Sequence, residues 1–186
     1  MAQACRRPLI AKRLHKLMHD PIALHEAYKR GDLEAVRDLL GNPPDFPNCR
    51  GPQAVGRIVL EYAIYHSPLA LVRGLLELGA DPNYGGDGFP SLLAAIAADR
   101  EDRSELIELL LRFGADIQQR GVNDYTPLHY AAARNDARMV EILLSHGGDP
   151  AAKTRIDDFT TPQEEAERQG FAELVQILKK AADKFK

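Results

Sequence analysis

Apolar residues recur at helical spacing in five leucine-rich segments: AVRDLLG, LVRGLLELGADPN, LIELLLRFGADIQ, MVEILLSHGGDPA and LVQILKKA. Their β-branched anchors, Val36, Val72, Ile107, Val140 and Val175, are separated by 36, 35, 33 and 35 residues. A small residue stands upstream of each anchor, at Ala27, Ala63, Ala95, Ala131 and Ala166. That distance is 9 residues in every copy but the third, where it is 12. The extra three residues fall in ADREDRS, a polar stretch suited to a longer turn between helices. One unit of about 34 residues is thus repeated five times. The repeats fall near 20–47, 48–83, 84–118, 119–151 and 152–186.

Each unit reads as two short helices. Thr126-Pro127, Thr161-Pro162 and Asp20-Pro21 each place a side-chain oxygen at the N-cap and proline at the first helical position. Thr161 with Glu164 three residues on has the pattern of a capping box. The second helix carries apolar residues on one face, as in Val140, Leu143 and Leu144, and stops at Gly79, Gly114 and Gly147. A polar connection of about ten residues then leads to the next cap. A helix pair of this size cannot bury its own apolar face, whereas stacking on its neighbours does so; the pattern predicts an all-α solenoid.

These residues also resemble a known family. GADPN at Gly79 to Asn83, GADIQ at Gly114 to Gln118, TPLHYAA at Thr126 to Ala132 and the closing LVQIL are similar to ankyrin repeats over residues 20 to 183. The resemblance implies antiparallel helix pairs joined by projecting hairpins in a gently curved stack. The second and third units depart from the motif, with Ile58-Val59-Leu60-Glu61 and Pro90-Ser91-Leu92-Leu93 in place of TPLH, so poorer capping is expected there. The last unit has Gln163 and Glu164 where Leu128 and His129 stand, as suits a capping repeat facing water.

His129, flanked by Tyr125, Thr126, Tyr130 and Asp124, raises the question of catalysis. A catalytic imidazole needs a nucleophile or metal within reach and a partner that fixes its tautomer. Thr126 is committed to a cap and no cysteine lies near in the repeat register. The resemblance implies a structural role, tying successive hairpins together, and His25 occupies the same register position. His15 and His19 have an i, i+4 spacing that could chelate zinc. No third ligand is identifiable, and no catalytic residue, metal or cofactor is expected.

The body of the chain is acidic. Net charge is -3, yet Arg6, Arg7, Lys12, Arg13 and Lys16 all precede the first carboxylate, Asp20; the remaining 19 basic and 27 acidic residues stand at -8. That argues against a phosphate-tracking surface on the repeats. Leu9, Ile10, Leu14, Leu17 and Met18 give residues 1–19 an apolar face opposite the cations. An N-terminal helix capping the array is expected, with a basic arm for nucleic acid or anionic lipid, or a targeting peptide, as competing readings. Cys5 and Cys49 form no disulfide framework or metal spacing and suit a reducing, cytoplasmic setting. The proline-rich connection GNPPDFPNCRGPQAVG is read as a tolerated insertion or a custom contact loop.

In ankyrin proteins partners meet the hairpin tips and the exposed side of the first helices, which form a concave face. The register places Arg57, Asp87, Phe89, Val122, Asn123, Tyr125, Asp158 and Thr160 at tips, with Tyr125 facing outward, and Tyr65, His66 and Arg134 on first helices. Aromatic residues and arginine are the side chains that anchor interfaces. The expectation is a monomeric, non-catalytic module that binds another protein, with no small-molecule substrate.

Overall fold

A computed structural model describes residues 20–51, 57–84, 89–156 and 159–184. They form an all-α repeat fold. Among the described residues there are ten α-helices and no strand, only an isolated antiparallel bridge between Arg50 and Ile58. The N-terminal segment 1–19, with His15, His19 and Cys5, lies outside the described residues.

The chain divides into two compact units, Met1–Asp81 and Pro82–Lys186. In the first, α1 (Pro21–Arg30) pairs with α2 (Leu33–Leu39) and α3 (Val59–His66) with α4 (Leu69–Glu77). Helix α3 packs on α1, and α4 on α2. The second unit holds three pairs: α5 (Ser91–Ala97) with α6 (Arg103–Arg112), α7 (Pro127–Ala133) with α8 (Ala137–Ser145), and α9 (Pro162–Gln169) with α10 (Ala172–Lys184). There α7 packs between α5 and α9, and α10 lies on α8. Like elements stack on like, as the repeat requires.

The repeated small residues explain how close that stacking is. Ala27, Ala63, Ala95, Ala131 and Ala166 are each 0% exposed, at positions where a longer side chain would push neighbouring helices apart. The anchors Val36, Val72, Ile107 and Val140 are buried as completely. Val175 is not: in α10 the buried places fall to Leu174 and Leu178, and Val175 is half-buried.

The helix starts follow the local chemistry. The Asp20 carboxylate accepts from the amides of Ile22 and Ala23, and Thr126 accepts from His129. Thr161 and Glu164 complete the capping box, with the Thr161 amide donating to the Glu164 carboxylate at 2.7 Å. Ile58 and Pro90 supply no side-chain cap, as their chemistry dictates. Two of the second helices, α2 and α8, also have caps, which the sequence reading does not identify: Asp32 accepts from Ala35 and Asp136 from Met139.

Three of the second helices, α4, α6 and α8, end with a glycine in the left-handed region, at φ 91 for Gly79, 87 for Gly114 and 88 for Gly147. Beyond that turn the chain leaves the helix, and its next polar groups need partners. They find them one repeat earlier. The Asn48 amide donates to the Gly79 carbonyl at 3.0 Å, and its oxygen accepts from the Asp81 amide at 2.7 Å. Asn83 repeats the clamp on Gly114 and Asp116, at 2.8 and 2.6 Å. Gln118, at the next equivalent place, keeps only a 3.4 Å contact to the Gly147 carbonyl.

An Asn83→Ala substitution removes both bonds of one clamp. The expected outcome is a loss of about 1–2 kcal/mol in urea unfolding followed by circular dichroism. Asn83→Asp should fall nearly as far, because a carboxylate cannot donate to the Gly114 carbonyl; stability equal to the parent protein would refute the clamp.

Candidate partner-binding surface

The hairpin before α7 is closed by the Gly121 amide donating to the Tyr125 carbonyl at 3.0 Å. Its tip is a single turn of 3-10 helix, Val122–Asp124, in which Asn123 and Asp124 take φ of 55 and 56. Short polar side chains tolerate this left-handed backbone better than other non-glycine residues. Asn123 is exposed, and Val122 is half-buried.

Asp124 turns inward and organises two hairpins. Its carboxylate accepts from Arg120 at 2.8 Å within its own hairpin, and from the Arg155 amide at 2.6 Å and guanidinium at 2.7 Å in the next. Bonds from the Arg155 side chain, reinforced by its amide and by the Arg120 charge, hold the Asp124 carboxyl down at about 2.

His129 lies beneath this tip with 0% exposure. Its Nε2 is 2.9 Å from the Thr160 carbonyl, which can only accept, so Nε2 carries a proton. Its Nδ1 is 2.8 Å from the Thr126 hydroxyl, and burial pushes the ring below the usual imidazole range. The neutral ring therefore accepts at Nδ1 from Thr126, whose oxygen accepts in turn from the His129 amide. Both nitrogens are spent on the protein itself. This arrangement joins the α7 cap to the following hairpin and leaves no lone pair or proton for a substrate.

The matching position in the first unit behaves differently. His25 is half-buried on α1, and its Nδ1 meets the Tyr62 hydroxyl at 2.8 Å instead of a hairpin carbonyl. The reason lies in the cap: α1 begins at Asp20-Pro21, so His25 is five residues past the N-cap, whereas His129 is three past Thr126.

Of the expected contact residues, Tyr125 departs most from its reading. It is half-buried and stacks on His129, with centroids 5.6 Å apart and planes at 18°, so the outward tip belongs to Asn123. Thr160 is buried, its carbonyl given to His129. Phe89 is half-buried against the Tyr130 ring, edge-on at 5.8 Å, and Arg134 is exposed with its guanidinium 5.7 Å from the same ring. In the first unit Arg57 lies over Tyr65 at 4.9 Å and pairs with the nearly buried Glu61 at 2.5 Å, while His66 is exposed. Asp87 and Asp158 lie outside the described residues.

Three residues that sequence reasoning passed over belong to these groups. Tyr130 joins Phe89 to Arg134, and Tyr62 joins His25 to His66, to which it stands at 4.4 Å. Glu61 holds Arg57 in place. A signal was present for the tyrosines, since each sits one residue after the position that His129 occupies in its unit. Cys49 is buried, and its burial pushes the thiol up. Among the described residues there is no group of three or more His, Cys, Asp or Glu side chains able to hold a metal ion, and no helix long and apolar enough to cross a membrane.

A family model described as ankyrin repeats, in three copies, matches residues 93–186, just over half the chain. The chain is 29% identical over 154 residues to the ankyrin repeat and KH domain-containing protein mask-1 of Caenorhabditis elegans, which is 82% of this chain and 6% of that protein. It is 39% identical over 128 residues to alpha-latroinsectotoxin-Lt1a of Latrodectus tredecimguttatus, covering 68% of this chain and 9% of the toxin. It is 36% identical over 142 residues to the transient receptor potential channel pyrexia of Drosophila melanogaster, covering 76% and 14%. The match thus spans at most 14% of the length of these three relatives.

The Asp124 carboxylate sets an acid dependence. Its folded value lies below that of an unfolded aspartate, about 3.9, so its stabilisation is complete above that value and is lost as pH falls from 4 towards 2. Thermal unfolding at a series of pH values should show Asp124→Asn melting below the parent protein at pH 7, with the gap closing between pH 4 and 2. A gap that persists at pH 2 would remove Asp124 as its source.

Proposed function

The chain belongs to the ankyrin repeat family, and from that premise we propose that residues 20–186 form one domain that binds a partner protein and performs no chemistry of its own. Ankyrin repeats generally mediate protein–protein interaction, so the family supports the class of function. The binding residues proposed here lie on the hairpins and exposed sides of the first helices in each unit: Arg57, Tyr65 and His66 in the first, and Phe89, Asn123 and Arg134 in the second. Asp87 and Tyr125 complete the set, Tyr125 chiefly by holding its hairpin rigid against His129.

The observation that carries this reading is the fixing of aromatic and arginine side chains before any partner arrives. Arg57 is stacked on Tyr65, and Arg134 and Phe89 share the Tyr130 ring. Side chains already held in place lose less entropy on association, and these residue types dominate interface energetics. We place the domain in the cytoplasm as a monomer, in keeping with two cysteines that form no disulfide framework.

The five cations before Asp20 support a second reading, an adaptor that also contacts nucleic acid or anionic membrane through residues 6–16. It requires binding that falls steeply with salt and vanishes when the chain is truncated before Asp20.

With a partner captured from native lysate and identified by mass spectrometry, calorimetry on Tyr65→Ala, Phe89→Ala and Arg134→Ala gives the test. At least one should weaken binding roughly tenfold or more. Affinity unchanged in all three, with folding intact, would refute this face.

A further inference from the structure

The first unit carries a group of polar aromatic side chains that the general reading leaves unused. His25 and His66 stand 5.3 Å apart, centroid to centroid, on the facing first helices α1 and α3. Tyr62 completes a triangle with them, 6.0 Å from His25 and 4.4 Å from His66, with its hydroxyl bonded to His25. Tyr28 backs Tyr62 at 4.7 Å and is buried, with Cys49 near it, and Tyr65 flanks His66 at 6.1 Å.

The fixed charges around this group nearly cancel. Arg57 is matched by Glu61, whose side chain is 9% exposed at 2.5 Å from it. On α1, Lys29 faces Glu26 at 3.8 Å, both half-exposed. These two ion pairs carry no net charge between them. Protonating the imidazoles adds positive charge to this face, on a protein whose net charge is -3. We propose that this His25–Tyr62–His66 face of the first unit recognises an acidic segment of a partner protein and binds it more tightly as pH falls through the imidazole range.

The proposal rests on the first helices being a recognition surface, and it adds the chemistry of the occupant. Carboxylates of that segment would accept from the two protonated rings, with the Arg57 guanidinium at the edge. Burial, the nearby His25 and the Arg57 charge hold His66 below the usual imidazole range in the free protein. A bound carboxylate opposes the two positive charges and favours the protonated rings, so binding takes up protons, and by linkage affinity rises on acidification.

The test uses the full chain labelled with nitrogen-15 and a capped octa-aspartate peptide, with octa-asparagine as the uncharged control. Amide shifts are followed at pH 7.5 and 5.5, where the aspartates stay ionised. The expected result is perturbation centred on α1 and α3, with affinity about fivefold or more tighter at pH 5.5. That ratio should fall towards one in His25→Gln/His66→Gln. The exposed single change His66→Gln serves if the double variant fails to fold, and should cut the ratio at least in half. Shifts centred elsewhere, equal affinity at the two pH values, equal binding of octa-asparagine, or an undiminished ratio in the variants would each overturn the proposal. Loss of the pH effect leaves alanine results at Phe89 and Arg134 standing, so this inference and the general reading fail separately.

Discussion

A side-chain amide that grips the backbone of the next repeat is the interaction on which the rest of this structure depends. Each glycine stop releases a carbonyl and, two residues on, an amide that no helix can satisfy. Asn48 and Asn83 supply one donor and one acceptor on the same planar group, which is what that pair of backbone atoms demands. A helix pair without this clamp could still bury its alanine face, but its hairpin would be free to tilt. The clamp converts burial into register, and register aligns the hairpins of each unit. Gln118 shows the limit of the device: with one more methylene it keeps only the contact to Gly147.

His129 extends the same logic nearer the tips. Its two nitrogens join a helix cap to the next hairpin, and the Asp124–Arg155 pair makes a second tie a few residues away. Tyr125 stacks on that fixed ring, and its backbone carbonyl closes the turn that exposes Asn123. The rigidity of the presented surface is thus built from groups that look chemically reactive in the linear sequence. Neutral, buried and doubly bonded, the imidazole is a strut.

What was legible in the sequence was whatever repeats. Period, helix pairing, threonine caps, glycine stops and the structural role of His129 all recur at fixed spacing or follow from neighbours within four residues. The long-range ties were hidden because their two ends lie some 31 to 33 residues apart: Asn48 with Asp81, Asn83 with Asp116, Asp124 with Arg155. Orientation was hidden too. Register places Tyr125 beside a tip, yet only the neighbouring His129 ring decides that it lies flat instead of pointing out. His25 shares the register of His129, but a cap that begins two residues earlier in the register, together with a tyrosine on the next helix, gives it a different partner. Register was therefore legible as a set of positions along the chain and not as a set of side-chain directions.

The third repeat shows how a departure from periodicity is absorbed. Its lengthened turn separates α5 from α6 by five residues, where α7 and α8 are separated by three. Asp102 stands at the N-cap of α6 but makes no capping bond, because its carboxylate is held by Arg100. Arg103 closes the turn instead, donating to the Ile96 carbonyl at 3.1 Å and pairing at 2.8 Å with Asp136, the cap of the following second helix. The lengthened turn thus trades one local cap for a tie to its neighbour. It also leaves a concavity of about 520 Å³ lined by Asp99, Arg100, Glu101, Arg103 and Arg134. An insertion that would loosen an isolated helix pair is tolerated here because the adjoining repeat supplies the carboxylate that fastens it.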